Sequence, residues 1–402
     1  MILFAGSAMA AGRHRPARPP VSDATPAGWL LNHAYPYAEA IAAAARPATM
    51  IGLGDDTHGT HEYFDVKLRM IQKLVRDEDF RLIAFEGPFA DFNRIDDYVL
   101  GGAGDPRTIL RRHELGYWFW ASDEIVAVID WVREYNRTRG DKPPVEIAGM
   151  DVTDTQGAAD MVISYLDVVD AALATTARGE YSACFIVARP HDCAMRLAAV
   201  RDDIDAREAD LVARSSQRSF EIAFHAASIA AVGLNESGMV PGYYAWRDEN
   251  MAINALRMQQ RRTSNARIIL WGHQEHLGKT ANIEGSKPTG KWLDEKLGAG
   301  YFVVGSCSGE GSFNVVRTPP YVTTSVVEFP SISTLDYESS FRSAAMPLLF
   351  IPLRGPLPEW LSSPHQLRGG TSGAPYDKME TLPQKLDAII YIDRTTPSSS
   401  FW

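Results

Sequence analysis

Residues 55–62 read Asp55-Asp56-Thr57-His58-Gly59-Thr60-His61-Glu62, a dense run of titratable side chains directly after the apolar stretch "ATMIGLG". Other apolar runs stop in the same way. "RLIAFE" ends in Glu86, "VEIAGMD" ends in Asp151, and "ARIILWGHQEH" ends in His273, Glu275 and His276. A histidine beside a carboxylate is the ordinary equipment for taking a proton from water. The acid fixes the tautomer and stabilises the cation that forms. The same residue types suit a metal, since "HQEH" sets two imidazoles three residues apart and other acids can complete a shell. Neither signal is specific alone, and the HExxH pattern of zinc hydrolases is absent. Each residue alone also has a structural explanation, as a helix cap or a satisfied core histidine. Four runs ending this way together argue for one site. A nucleophile elbow is a weaker candidate. "GSCSG" sets Cys307 at its centre, but "EGSFNVVRTPP" follows, which is not the helix an elbow requires.

These residues need a frame that brings the run ends together. Between the runs lie helical patterns. Val66, Met70 and Leu74 share one face after His61, and "SDEIVAVIDWVREYN" is amphipathic with Ser122 as its N-cap. Strands at 48–54, 81–86, 145–151, 266–273 and 301–306, alternating with helices, predict an α/β fold. It has a mostly parallel central sheet flanked by helices. In such sheets ligands sit outside the carboxyl ends of the strands. A stretch at about 157–246, rich in Ala, Leu, Asp and Arg, predicts a helical insertion subdomain roofing a cleft. The aromatic groups "YWFW" (117–120) and "YYAW" (243–246) serve either as cleft lining or as core. The final segment, 307–402, carries "FNVV", "LLFIPL" and "DAIIYI" as further strands at the far edge of one domain running 28–402.

Composition narrows the function classes. The chain has 402 residues, 45% of them hydrophobic, and a net charge of −10. Forty basic residues stand against fifty acidic ones, with no basic block beyond "RHRPAR", so nucleic acid is not an expected partner. No apolar stretch reaches the roughly 18–20 residues a spanning helix needs. Residues 1–27 hold "MILFAGSAMAAG", ending in an A-x-A pattern, and then an Arg- and Pro-rich linker. Two readings fit: a truncated signal peptide, which favours a periplasmic or secreted protein, or a disordered tail on a cytoplasmic one. The three cysteines contain no C-x-x-C pair. Export would go with a Cys184–Cys193 bridge, and a cytosolic protein with three free thiols.

At the chemistry-bearing residues the chain resembles the erythromycin esterase family. "IGLGDDTHGTHEYFDVKLRM", "FEG" with "FNRIDDYVLGG", "WFWASDEIVAVIDWVREYN", "GMD", "WRDENMAINAL", "WGHQEHLGK" and "GSKPTGKWLDEKLGAGYFVVG" are similar to its segments in order, over about 28–396. The resemblance implies hydrolysis of an ester, typically a macrolide lactone, by activated water without a covalent intermediate. On that pattern His58 is the general base and Glu86 holds or polarises it. His273 and His276 assist at the carbonyl or the leaving alkoxide. Lys67, Glu124, Asp151 and Arg247 fall at supporting polar positions. Asp55 stands where the family carries Glu, Asp56 where a small residue is usual, and Gln274 where the family has Asn. No cofactor is expected and no metal is required, although the additional acids Asp56 and Glu275 would suit a divalent ion. A non-catalytic metal- or haem-binding protein on the same scaffold is the alternative.

Overall fold

The computed structural model describes residues 22–111, 118–186, 190–232, 242–262, 267–282, 285–317, 323–370 and 379–401. Eight strands form one sheet among them: β1 (Met50–Asp55), β2 (Phe80–Pro88), β3 (Glu146–Asp151), β4 (Arg267–His273), β5 (Tyr301–Arg317), β6 (Thr323–Glu328), β7 (Leu348–Pro352) and β8 (Ala388–Thr395). Their order is β3-β2-β4-β1-β5-β8-β7, with β6 paired antiparallel to β5. Neighbours from β3 to β8 run parallel, and β7 closes the far edge antiparallel to β8. Every residue of β1 and β2 is buried, as expected of parallel strands covered on both faces.

Helices supply those covers. One face packs against α1 (His61–Asp77), α2 (Phe89–Val99) and α3 (Asp123–Thr138). There Phe64, Ile71, Leu74, Ile95, Ile125 and Val132 meet Phe85 and Trp271 of the sheet. Ser122 caps α3 by accepting from the Ile125 N–H at 3.4 Å. After β3 comes a helical subdomain with its own core, built from α4 (Thr155–Val169), α5 (Ala171–Cys184), α6 (Cys193–Asp205) and α7 (Gln217–Val232). A disulfide joins Cys184 at the end of α5 to Cys193 at the start of α6, with Cα atoms 5.5 Å apart. The chain then returns to the sheet as α8 (Tyr243–Arg257). Met251 and Ala255 of α8 sit on the second core with Leu82 and Leu270. Asn254 ties the subdomain, the helix and the sheet together. Its amide nitrogen donates to the Met150 carbonyl at 2.9 Å, and its oxygen meets His225 Nε2 at 2.9 Å.

Several local expectations are corrected. "FNVV" is no separate strand but the distal half of the long β5, and β6, which returns along it, was not foreseen. Within that far-edge segment "DAIIYI" forms β8, between β5 and the edge strand β7. Cys307 sits within β5, paired with Tyr391 of β8 and fully buried, so it occupies a strand and not an elbow. Burial holds its thiol well above the usual pKa, so it is protonated and out of reach. A helix already begins at Pro26, capped by Thr25, inside the stretch read as linker. The A-x-A pattern and Tyr117 lie outside the described residues.

Candidate active site

Parallel pairing decides which strand ends meet. The register of β1 on β4 sets Asp55 opposite His273, and β2 on β4 sets Phe85 opposite Trp271, so Glu86 emerges beside Gly272. Gly272 has to be glycine: a Cβ there would stand 2.8 Å from Glu86 Oε2 and 3.0 Å from Glu86 Cβ. With that space open, Glu86 Oε2 accepts the His273 N–H at 2.7 Å.

Two linked groups result. In the first, the buried Asp55 carboxylate lies between a cation and an imidazole. Lys67, reaching back from α1, donates to one Asp55 oxygen and to the Leu53 carbonyl at 2.8 Å. Burial, opposed by Asp55, lowers the Lys67 pKa to about 8, leaving the ammonium largely charged at neutral pH. The other Asp55 oxygen is 3.4 Å from His58 Nδ1. No hydrogen bond forms there, and both atoms are otherwise buried without partners among the described residues. The His58 ring stacks on Phe119, centroids 4.0 Å apart and planes 8° apart, and lies 5.0 Å from the His273 ring. About a fifth of the side chain, 22%, stays exposed. Since Nδ1 is the buried nitrogen, Nε2 is the one that reaches solvent.

In the second group, Arg247 of α8 organises two acids and a histidine. Its Nε donates to Asp151 at 2.9 Å, one terminal nitrogen bridges Asp151 and Glu86 Oε1 (2.7 Å to the latter), and the other lies 3.0 Å from His276 Nε2. His276, on the one-turn helix Gln274–Leu277, meets Asp248 Oδ1 through Nδ1 at 2.8 Å. Asp248 also accepts from the Thr289 N–H and hydroxyl at 2.9 and 2.8 Å. Burial works against a charged His276, but the carboxylates of Glu86 and Asp248 outweigh it and raise its pKa. In the neutral form Nε2 accepts from Arg247. On protonation it turns donor toward Glu86 Oε1, 3.5 Å away. Glu86 is likewise buried, yet His276, Arg247 and His58 together hold its carboxyl far below the usual range, so it stays ionised.

His273 differs from its neighbours. Nε2 donates to the Asp56 carbonyl at 3.0 Å and Nδ1 accepts the Glu275 N–H at 3.4 Å. Burial, with His58 and His276 nearby, lowers its pKa to about 4, so it is neutral at neutral pH with both nitrogens committed. The His273 and His276 rings are 6.4 Å apart, each tied to protein partners. Among the described residues no three His, Cys, Asp or Glu side chains are grouped to hold a metal ion.

The chain and its fold have counterparts among known proteins. The family model described as Erythromycin esterase matches residues 75–395. The chain belongs to the erythromycin esterase family. It is similar to erythromycin esterase type II of Escherichia coli, 22% identical over 297 residues, covering 65% of this chain and 69% of that protein. It is also similar to the putative hydrolase YbfO of Bacillus subtilis (strain 168), 20% identical over 391 residues, covering 87% and 84%. Among solved structures, a protein of Bacillus cereus superposes with a TM-score of 0.80 at 22% identity, covering 94% of this chain and 98% of that one. An erythromycin esterase mutant in its open conformation superposes at 0.69 and 17% identity, covering 90% and 94%. Membership places the chain among esterase-like hydrolases.

Within this esterase-family fold, His58, Asp55, Lys67, Glu86, Asp151, Arg247, His273 and His276 come together at the carboxyl end of the sheet. Glu124 does not join them. Its carboxylate takes His61 Nδ1 at 2.6 Å and the Ser399 N–H at 2.9 Å. Two participants were not named from sequence. Asp248 is one residue beyond Arg247 in "WRDENM", and its spacing on the helix was the available signal. Phe119 stood only within an aromatic group read as lining or core. Of the second aromatic group, Tyr244 is exposed, with its ring 6.5 Å from His276.

Proposed function

We propose that this protein hydrolyses the ester bond of a small molecule, with macrolide lactones the first class to test, through water activated at His58 and without a covalent intermediate. The observation that carries the reading is the order Lys67–Asp55–His58, with Nε2 facing solvent. Nε2 takes a proton as the water oxygen attacks the acyl carbon. Asp55 stabilises the imidazolium, while Lys67, itself held by the Leu53 carbonyl, fixes Asp55. Negative charge develops on the carbonyl oxygen, and the positive charge of Arg247 at this edge of the site offsets it. Asp151 and Glu86 hold that edge in place. The acyl–alkoxide bond then breaks and the His58 proton goes to the alkoxide. His273, committed on both sides, serves as a spacer fixing the turn that carries Asp56. The scheme uses no obligatory metal: His273 and His276 are engaged by protein partners, and His58 acts on water.

The test incubates purified protein with 14- and 16-membered macrolides and simple esters, following the gain of one water by mass. His58→Ala should lower the rate on the order of 10²–10⁴-fold. An unchanged rate would sink the scheme. Activity should survive prolonged dialysis against EDTA. Loss restored by zinc or manganese would move the histidines to ligand roles.

A further inference from the structure

Residues 396–401 form no regular strand, yet nearly every polar backbone group along them is used, and the partners fall in two places. One is the turn carrying His58. Gly59 O accepts from Ser398 N at 2.9 Å and from Asn314 N at 3.0 Å, and Asn314 Nδ2 donates to Ser398 O at 2.7 Å. Asn314, Ser398 and Thr60 are buried. A Cβ at Gly59 would overlap the Asn314 backbone, so the turn rests directly on β5. His61 N donates to Thr396 O at 3.0 Å, and Thr396 donates through its N–H and hydroxyl to Glu62 at 2.7 and 2.8 Å. The other place is the stretch 119–124. Glu124 accepts from Ser399 N at 2.9 and 3.1 Å, Asp123 N donates to Ser399 O at 3.1 Å, and Phe401 N donates to Ala121 O at 3.0 Å. The Phe401 ring then lies against Arg107 and Arg111, 4.8 and 5.1 Å from their guanidinium carbons.

The two places are the two sides of His58. One segment bears the imidazole and the other bears Phe119, the ring stacked on it. The His61–Glu124 contact at 2.6 Å joins the same two stretches directly. We infer that segment 396–401, anchored by Glu124 and Asn314, is a strap that sets the distance between the His58 turn and Phe119, making Glu124 a positioning residue for the catalytic histidine. The inference rests on the reading of His58 as the base. It also gives Glu124 a part without placing it in the cleft: it touches neither the Arg247 group nor Asp55, and acts through backbone it holds. The side-chain acceptor is what matters, so an amide in its place should still take the Ser399 N–H.

The test compares Glu124→Ala with Glu124→Gln in the full chain, each checked for folding by thermal melt. Displacing a catalytic group by a fraction of its reach costs about 10–100-fold, so Glu124→Ala should lower kcat in that range with KM nearly unchanged. Glu124→Gln should recover most of the loss. A second reading needs no substrate. Stacking on Phe119 moves the carbon-bound ring protons of His58 upfield in the proton NMR spectrum, and Glu124→Ala should relax that shift. If Glu124→Ala does not fold, Asn314→Ala loosens the same strap at its other anchor and is judged by the same readouts. A folded Glu124→Ala with unchanged kcat and unmoved His58 resonances overturns the strap, as do equal losses in the Ala and Gln variants. A protein inactive on every ester whose His58 protons still respond would remove the base assignment and leave the strap standing.

Discussion

Asp55 and Asp56 are adjacent, both fully buried, and surrounded in opposite ways. Asp55 faces α1, where Lys67 supplies a charge, and the turn before it, where His58 supplies an imidazole. Asp56 turns to the other side, where Gln274 Nε2 donates to Oδ1 at 2.7 Å and Oδ2 has no partner among the described residues. Burial and the nearby Glu338 raise the Asp56 pKa well above the carboxylate range, against the pull of Arg368, so it is buried as the neutral acid. Glu338 behaves alike: burial lifts it to about 7. Deeper on that side, Lys385 is held between Glu275 and Glu380, and Arg368 is spent on backbone carbonyls, at 2.5 Å to Ser308 and Gly309. One side of the His58 turn thus keeps a buried ion pair beside a partly exposed imidazole. The other holds two carboxyls, Asp56 and Glu338, whose pKa burial raises. Burying a carboxyl is tolerable in either state, but only a charge held beside a histidine is of use to proton transfer.

The largest way to separate the two sides is to remove each charge without changing shape. Asp55→Asn takes away the anion that orients and stabilises His58, and should lower ester hydrolysis about 10²–10⁴-fold, the range seen when a histidine loses its orienting acid. Asp56→Asn replaces a neutral acid by a neutral amide, and its rate should stay within about threefold of the parent. Equal losses would erase the contrast. A smaller effect is in stability against pH. For Glu338 the folded pKa of about 7 exceeds the ordinary 4.5. Below pH 4.5 both states bind the proton and nothing is lost. As pH rises from there through about 7, the unfolded chain releases its proton first, and folding loses about 3 kcal/mol. Glu338→Gln should flatten that decline in denaturant titrations at a series of pH values. An unchanged slope would show that the decline comes from other groups.

The frame of the site was legible in the sequence for a simple reason. Buried parallel strands read as apolar runs, and their ends are marked by the first polar residues, so Asp55, Glu86, Asp151 and His273 were placed before any coordinates. Arg247 and Lys67 came instead from the resemblance, because periodicity does not say that a helical cation is turned toward a strand end. Two kinds of information were out of reach. The protonation of Asp56 depends on Glu338, Arg368 and Glu275, none of them near it in sequence except through the fold. Glu124 was read as a supporting site residue because it falls at a polar position of the family pattern. Only the path of residues 396–401, which have no periodic pattern, shows what its carboxylate holds.

The position of β4 has a further consequence, for the order in which the molecule comes together. It lies between β1 and β2, although the helical subdomain separates it from both in sequence. During synthesis the first two strands emerge early and have no ladder to share until residues 267–273 arrive between them. Non-local pairings of this kind are slow to form, because the intervening loop must close before any contact rewards it. The subdomain can collapse on its own core in the interval. Insertion of β4 is then the step that carries His273 and His276 up to Glu86 and Asp55. A nascent chain short of that strand has Asp55, His58 and Lys67 but lacks His273 and His276, so the centre is completed late.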